Sequence, residues 1–153
     1  MLLTATNLEL LDGVKVKLTF IDGKIIRYDM AKMFEKYPCL IALKENHDLF
    51  LNGHLDKRGY GIIWNDELDV DVMTIYEDGE LVGIKELSIN QKIGLLLMKA
   101  REDQGVTQVE LSKRTHIDQA DISKFEKGLS NPTLSTITKL FSALNKQIEI
   151  IIK

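Results

Sequence analysis

The N-terminal part of the chain alternates apolar and polar residues, which is the pattern of half-buried β-strands. The alternation is clearest in V-K-V-K-L-T-F at 14–20 and continues in I-I-R-Y-D-M at 25–30. An Asp-Gly pair between alternating segments favours a hairpin turn, because both residues tolerate positive φ. Such pairs occur at Asp12-Gly13, Asp22-Gly23 and Asp78-Gly79. The first thirty residues are therefore predicted to form a β-meander.

The remainder of this half consists of short apolar segments. Residues 31–36 have the spacing of a short helix, which Pro38 would stop because the residue before a proline disfavours the helical region. The later segments are an apolar run at 40–43, another at 49–51, a predicted strand at 60–64, and a stretch at 70–76 that fits either a helical turn or a last strand. These elements predict a small α+β domain over residues 1–80 and a linker at 81–87.

Beyond the linker the apolar spacing becomes that of helices. Ser88, with Gln91 three residues later, makes a capping box, and Gly105 ends the helix that follows. The predicted buried stripe of this helix is Ile93, Leu96, Leu97 and Ala100. Thr133 caps the last helix, whose predicted buried positions are Leu134, Ile137, Leu140, Phe141 and Leu144. Residues 88–153 are therefore predicted to form an all-α domain of four to five helices that ends in a C-terminal β-strand.

Two short helices joined by a tight turn are predicted between Val106 and Gly128. Thr107 and Glu110 have the capping-box spacing at the start of the first helix. Asp118 is the expected cap of the second helix, and a glycine after that helix accommodates positive φ.

The outer face of the second helix is polar and short. Ile122 and Phe125 fall on one face, whereas Gln119, Ala120, Ser123 and Lys124 fall away from it. Short, extendable polar side chains on the outer face of a second helix are what a base-reading helix requires. A plain helical bundle gives no reason for such a face, so the pattern predicts a helix-turn-helix and DNA binding.

The charge is divided unequally along the chain. The 153 residues carry a net charge of −3, but residues 88–153 carry +3 and residues 1–87 carry −6. This asymmetry is typical of a protein with one part that faces nucleic acid and another part with a different task.

Several other function classes are disfavoured. The single cysteine, Cys39, excludes a disulfide framework and a cysteine-rich zinc site, and we expect it to be a buried apolar residue. The acidic cluster at 66–71 lacks the glycine and the late glutamate of a calcium loop, and His47 and His54 lack metal-site spacing. No catalytic constellation is present, so we predict no enzymatic activity, no metal and no cofactor. Without a leader or an apolar run of about 20 residues, the expected location is the cytoplasm.

The N-terminal half resembles a small bacterial domain of unknown function, family 2442. The resemblance covers residues 3–80, and its most specific piece is Y-G-I-I-W at 60–64 followed by Leu68-Asp69. It implies an α+β fold without assigning a chemistry.

Residues 92–145 of the C-terminal half contain the motifs I-G-L-L-L-M-K-A-R-E-D-Q-G-V-T-Q, I-S-K-F-E-K-G and N-P-T-L-S-T-I. With these motifs the segment resembles the Xre/Cro-C1 family of helix-turn-helix regulators. The resemblance implies that Gln108 touches phosphate or braces the reading helix. It implies that the bases are read by Gln119, Ala120, Ser123 and Lys124, and that the DNA backbone is contacted by Lys127 and Asn131. It also implies an internal salt bridge between Arg101 and Glu126.

The turn departs from the family pattern, which usually has glycine at the position of His116 and an apolar residue at that of Thr115. His tolerates positive φ better than most residues, so the turn remains feasible.

The tail Q-I-E-I-I-I-K at 147–153 predicts a strand with an unpaired edge. Two pairings are open: the sheet of the other domain, or the same tail of a second subunit. Similar tails in Xre-type antitoxins form a sheet between two subunits. This resemblance favours a homodimer held together by the last helix and strand. Such a dimer would bind a palindromic operator in double-stranded DNA. A repressor, in an antitoxin-like form holding a small toxin protein, is the leading expectation. The alternative is a ligand-sensing regulator with an N-terminal pocket near Tyr60 and Trp64. No membrane association is expected.

Overall fold

The computed structural model describes residues 3–153, which divide into two compact units between Glu86 and Leu87. The N-terminal unit is α+β and the C-terminal unit is helical, as predicted. None of the helices in the described part of the chain is both long enough and apolar enough to cross a bilayer.

The N-terminal unit contains two antiparallel sheets. The first has four strands in the order β1-β2-β3-β7 and the second has three in the order β4-β5-β6. The strands are β1 (Ala5–Leu11), β2 (Lys15–Phe20), β3 (Lys24–Asp29), β4 (His54–Leu55), β5 (Gly61–Asn65), β6 (Leu68–Asp71) and β7 (Glu80–Ile84). The predicted meander is confirmed, because β1 pairs with β2 and β2 with β3 in antiparallel register.

The alternating pattern of β2 places its apolar side chains in the core. Val16, Leu18 and Phe20 are almost completely buried. Val14, which the pattern placed in the same strand, instead lies in the turn with φ of +57°. The first two Asp-Gly pairs form the predicted turns, with positive φ at Gly13 and Gly23.

The third Asp-Gly pair does not form a hairpin. Gly79 has φ of −83° and joins a helix to β7. A Cβ at Gly79 would collide with the side chain of Ile26 and the carbonyl of Ile75. The glycine is required for close packing, so the hairpin prediction was wrong at this position.

The helices of the N-terminal unit are short. They are two 3-10 turns (Met30–Met33 and Pro38–Ile41), α1 (Ala42–Glu45), α2 (His47–Leu51) and α3 (Val72–Asp78). The helix expected at 31–36 is one of the 3-10 turns, begun by Asp29, whose carboxylate accepts from the Ala31 amide. Asp71 caps α3 by accepting from the Met73 amide at 2.7 Å, which resolves the undecided stretch at 70–76 as a strand end followed by a helix.

The predicted linker at 81–87 is mostly strand. Residues 80–84 are β7, which pairs with β3 and completes the four-stranded sheet. Residues 85–88 form the irregular chain between β7 and the first helix of the C-terminal unit. The sequence pattern did not predict this strand, because it pairs with β3, which lies more than fifty residues earlier in the chain.

The core of the N-terminal unit is closely packed around Trp64. The indole is 4% exposed and donates from Nε1 to the Phe50 carbonyl at 3.0 Å. A Cβ at Gly53 would lie 2.6 Å from that nitrogen. The space that a ligand would need beside Trp64 is therefore filled.

Four helices form the C-terminal unit: α4 (Ile89–Glu102), α5 (Gln108–Thr115), α6 (Gln119–Glu126) and α7 (Leu134–Ser142). The Ser88–Gln91 capping box is present at the start of α4. The core is built from Leu97, Val106, Leu111, Ile122, Phe125, Ile137, Leu140, Phe141 and Leu144. Two residues predicted to be buried are not: Leu96 is 58% exposed and Leu134 is 64% exposed.

The predicted C-terminal strand is not formed. Residues 146–153 take no regular secondary structure. A strand needs a ladder partner, and none pairs with the tail among the described residues. The tail instead lies along an apolar groove formed with α4 and α7.

Candidate nucleic-acid interface

Helix α5 begins with the predicted capping box. The Thr107 hydroxyl accepts from the Glu110 amide at 3.1 Å, and the Glu110 carboxylate accepts from the Thr107 amide at 2.7 Å. The hydrogen bonds from Thr107 hold the pKa of Glu110 below its ordinary value. The capping box fixes the start of the first motif helix.

The turn between α5 and α6 accommodates both departures from the family pattern. His116 is left-handed with φ of +57° and ends α5, where its amide donates to the Ser112 carbonyl at 2.8 Å. Thr115 is buried, but its hydroxyl donates to the Leu111 carbonyl at 2.8 Å. The polar atom is therefore satisfied, so threonine replaces the usual apolar residue without leaving a buried donor unpaired.

Helix α6 presents the face that the sequence predicted. Gln119, Ala120 and Lys124 are exposed and Ser123 is half-buried, while Ile122 and Phe125 point into the core. Asp118 precedes the helix, but its side chain makes no capping hydrogen bond, contrary to the expectation. The first amides of α6 are therefore left without a side-chain acceptor from Asp118.

A continuous row of hydrogen bonds ties the outer face of α6 to the core. Gln119 Nε2 donates to Gln108 Oε1 at 2.7 Å, and Gln108 Nε2 donates to Glu126 Oε2 at 2.7 Å. Glu126 in turn accepts from Arg101. Gln108 therefore holds the side chain of Gln119 in a defined position.

Arg101 and Glu126 form a buried, two-pronged ion pair. The guanidinium donates from Nε to Oε1 at 2.7 Å and from Nη2 to Oε2 at 3.0 Å. Its remaining arm donates from Nη1 to the Val106 carbonyl at 2.8 Å. Glu126 is only 2% exposed. Its charge is thus balanced inside the fold by the Arg101 guanidinium.

The remaining predicted site residues follow α6. Lys127 is exposed at the C-terminal end of the helix. Asn131 is exposed in the next loop, and its carbonyl oxygen accepts from Nδ2 of Asn90, the second residue of α4. This contact between α4 and a loop distant in sequence could not be predicted from the sequence.

Gly94 was also missed by the sequence reasoning. A Cβ on this residue would collide with the Phe125 carbonyl and lie 2.8 Å from that of Glu126. Helix α4 can therefore approach the C-terminal end of α6 closely only because residue 94 has no side chain. A glycine inside a helix is unfavourable and usually has a packing reason, which is the signal that could have found it.

No group of three or more histidine, cysteine, aspartate or glutamate side chains could hold a metal ion within residues 3–153. Cys39, expected to be buried, is exposed.

Comparison with known proteins finds similarity in the helical unit. The helix-turn-helix family model matches residues 97–151, which is less than half of the chain. The predicted resemblance covers residues 92–145. The family match begins later, at residue 97, and ends later, at residue 151 in the tail. The resemblance of residues 3–80 to family 2442 stays a prediction.

Among curated proteins, an uncharacterized HTH-type transcriptional regulator of Haemophilus influenzae is 33% identical over 64 residues. The alignment spans 40% of this chain and 65% of that relative, slightly less than two thirds of its length.

Two solved structures are similar. One is a restriction-modification controller protein, determined as a tetramer in complex with its natural 35 base-pair operator, with 24% identity, a TM-score of 0.38, and coverage of 40% of this chain and 82% of that one. The other is a candidate DNA-binding protein from Nitrosomonas europaea, with 12% identity, a TM-score of 0.44, and coverage of 94% and 84%.

Proposed function

We propose that this chain is a sequence-specific DNA-binding transcriptional regulator that represses transcription from a palindromic operator as a homodimer. The observation that carries the proposal is the exposed face of α6, with Gln119 held in place by Gln108. The helix-turn-helix match over residues 97–151 supports it.

The side chains of this face suit base edges in the major groove. Gln119 uses one N–H in its bond to Gln108, which leaves its other N–H and its carbonyl oxygen for N7 and N6 of an adenine. Lys124 can donate to O6 and N7 of a guanine, Ser123 suits several bases, and the Ala120 methyl fits a thymine methyl. In this proposal Gln119, Ala120, Ser123 and Lys124 select the sequence.

In this proposal the affinity for DNA comes from contacts to the phosphates. Lys127 and Asn131 are placed by the proposal on the DNA backbone, together with the first amides of α6, since the N-terminus of a helix attracts anions. The C-terminal half carries a net charge of only +3, and one short helix reads few base pairs. A two-fold dimer doubles both contributions across half-sites about 34–36 Å apart.

Within this function we propose an antitoxin-like autorepressor. The acidic N-terminal half, with a net charge of −6, and the exposed isoleucines of the tail support a protein partner. A small basic protein that co-purifies stoichiometrically with the chain would support this role, and a chain that purifies alone from its own host would oppose it.

A ligand-sensing regulator has less support. The space beside Trp64 is filled, as described above. An open hollow of about 230 Å³ lies elsewhere in the N-terminal unit, lined in part by Met33, Tyr37 and Leu68. Small-molecule sites usually enclose about 300–1,000 Å³, so this hollow is small for the purpose.

A gel-shift experiment against the DNA upstream of the chain's own gene tests the proposal. We expect the full chain to retard this duplex about a thousandfold more tightly than a shuffled duplex of equal composition, because specific sites exceed non-specific DNA by at least about 10³. Equal retardation of both duplexes would refute autorepression.

A further inference from the structure

Strand β7 forms one edge of the four-stranded sheet in the N-terminal unit. Among the described residues it pairs only with β3, so its other side has no strand beside it. Three apolar side chains of this short strand are nevertheless exposed: Leu81 at 52%, Val82 at 42% and Ile84 at 73%. Natural edge strands usually carry charges or are covered, because a bare apolar edge pairs with other strands. The edge of β7 is therefore a candidate interaction surface.

The main-chain groups that are free at this edge belong to Leu81 and Ile84. Residues of an antiparallel pair alternate between positions that exchange hydrogen bonds and positions that do not. Lys85 donates its amide to the Gly23 carbonyl at 2.7 Å, which makes this a hydrogen-bonded position. Ile84 is the next, non-hydrogen-bonded position, and Leu81 is another, two residues further along β3. Their N–H and C=O groups therefore point away from β3 towards the free edge.

Strand β7 contains a β-bulge at Val82. Two consecutive residues of β3, Ile25 and Ile26, pair with Gly83 and Leu81, so Val82 is an extra residue between these two. Side chains normally alternate between the two faces of a sheet, and one extra residue shifts the alternation by one step. Residues that are three apart across the bulge therefore share a face.

The bulge gives each face of β7 a matched pair of side chains. On the face of the buried Ile26 lie Leu81 and Ile84, which are both apolar. On the opposite face lie Glu80 and Lys85, which carry opposite charges. Each pair has one member on either side of the bulge, at equal distances along the strand. The edge is therefore complementary to an antiparallel copy of itself.

We propose that β7 pairs with β7 of a second copy of this chain, antiparallel and with the two bulges side by side. In this register Leu81 faces the partner's Ile84, and Glu80 faces the partner's Lys85. Both contacts occur twice, because the same patch is used on both subunits of a two-fold dimer. The two sheets then join into one continuous sheet. This inference goes beyond the proposed reading of DNA by α6 and gives the N-terminal unit a function of its own, self-association.

The pairing satisfies both the main chain and the side chains of the edge. Leu81 and Ile84 have the free N–H and C=O groups, and they stand opposite each other, so each such pair exchanges main-chain hydrogen bonds. Apolar pairs and opposite charges across two strands also stabilise a sheet. The Glu80 carboxylate already accepts from Arg27 at 2.7 Å, and the partner's Lys85 extends this row of charges. Such exposed charges fix the register more than they add affinity.

The bulge selects a second copy over an ordinary strand. A regular partner strand loses its register at Val82, where β7 has one residue more. A second copy has the same extra residue at the same place. A register centred on Ile84 also matches the two faces, but it leaves Leu81 uncovered and pairs only the residues on one side of the bulge.

Cysteine cross-linking of mixed chains tests the pairing. In a Cys39→Ser background, full-length chains with Leu81→Cys and full-length chains with Ile84→Cys are oxidised separately and as a mixture, without DNA. Directly opposite Cβ atoms lie about 4.5–5.5 Å apart, whereas like positions of the two strands are offset by three residues, about 10 Å. We expect the mixture to form dimers roughly tenfold faster than either chain alone, because only the mixed pair is within disulfide reach.

A second matched pair and a mismatched pair supply the controls. Glu80→Cys chains mixed with Lys85→Cys chains are also expected to link fastest in the mixture. These chains keep Leu81 and Ile84, so they test the pairing even if loss of an apolar side chain weakens it. Leu81→Cys chains mixed with Lys85→Cys chains should link no faster than either alone, because the two residues lie on opposite faces.

Two results would overturn the inference. Fastest linking by Ile84→Cys chains alone would show the register centred on Ile84 and exclude the pairing of the two bulges. Failure of both matched mixtures to link would exclude self-pairing of β7 and leave its edge to a strand of another protein. Neither result bears on the proposed function, which the gel shift tests separately: equal retardation of both duplexes refutes autorepression whatever the cross-linking shows.

Discussion

Replacing Glu126 with alanine is expected to lower the free energy of unfolding of the helical unit by about 3–5 kcal/mol, because it removes the buried carboxylate that accepts two hydrogen bonds from the Arg101 guanidinium. The carboxylate accepts two hydrogen bonds from Arg101 and one from Gln108. Its removal therefore also takes away the hydrogen-bond acceptor of Gln108, whose side chain holds that of Gln119 in position. Urea unfolding followed by circular dichroism measures the change.

The matched control replaces both members of the pair. Arg101→Met with Glu126→Leu removes the two charges together, and a buried pair exchanged for apolar residues is often close to neutral. The Val106 carbonyl then loses its donor and the half-buried Gln108 side chain loses its acceptor, so we expect a loss of about 1–3 kcal/mol. A single Glu126→Ala variant as stable as the wild type would show that the pair does not hold α4 against α6.

Gly94→Ala is expected to destabilise the helical unit by about 1–3 kcal/mol or more through overpacking. The added methyl group would collide with the backbone carbonyls of Phe125 and Glu126, the last two residues of α6. Backbone atoms of a helix cannot move to another rotamer as a side chain can. The sign is diagnostic, because glycine to alanine inside an exposed helix normally stabilises it by about 1 kcal/mol. Thermal unfolding of the full chain measures the effect.

Two comparisons make the Gly94 result specific. Lys92→Ala, at an exposed position of the same helix, is expected to change stability by less than about 0.5 kcal/mol. If Gly94→Ala raises the melting temperature instead, the close approach of α4 and α6 is not a feature of the folded protein.

Local patterns predicted the elements of the fold that depend on neighbouring residues. The alternation in β2 gave its buried face, and the Thr107–Glu110 spacing gave the start of α5. The left-handed turn at His116 could be anticipated for the same reason, since the preference is a property of the residue itself.

Features that depend on distant residues were not predictable. The hydrogen bond from Gln119 to Gln108 depends on how two helices pack. Residues 80–84 become a strand only because β3 offers a free edge. Neither the contact nor the free edge leaves a periodic signal.

The apolar stripes of α4 and α7 each predicted burial wrongly at one residue. Leu96 and Leu134 have the spacing of core residues but are exposed beside the groove. An apolar residue that lies beside an open groove and one that faces the core produce the same sequence pattern.

Footprinting of Ser123→Ala with Lys124→Ala tests whether the exposed face of α6 reads DNA. The matched control, Lys139→Ala with Ser142→Ala, removes the same groups from exposed positions of α7. We expect the α6 variant to keep its fold by circular dichroism but to lose about 30-fold or more in preference for the operator over random DNA, since each of the two base contacts contributes about 1–3 kcal/mol of discrimination. The α7 variant should protect the operator like the wild type. An unchanged footprint from the α6 variant would show that this face does not read the bases.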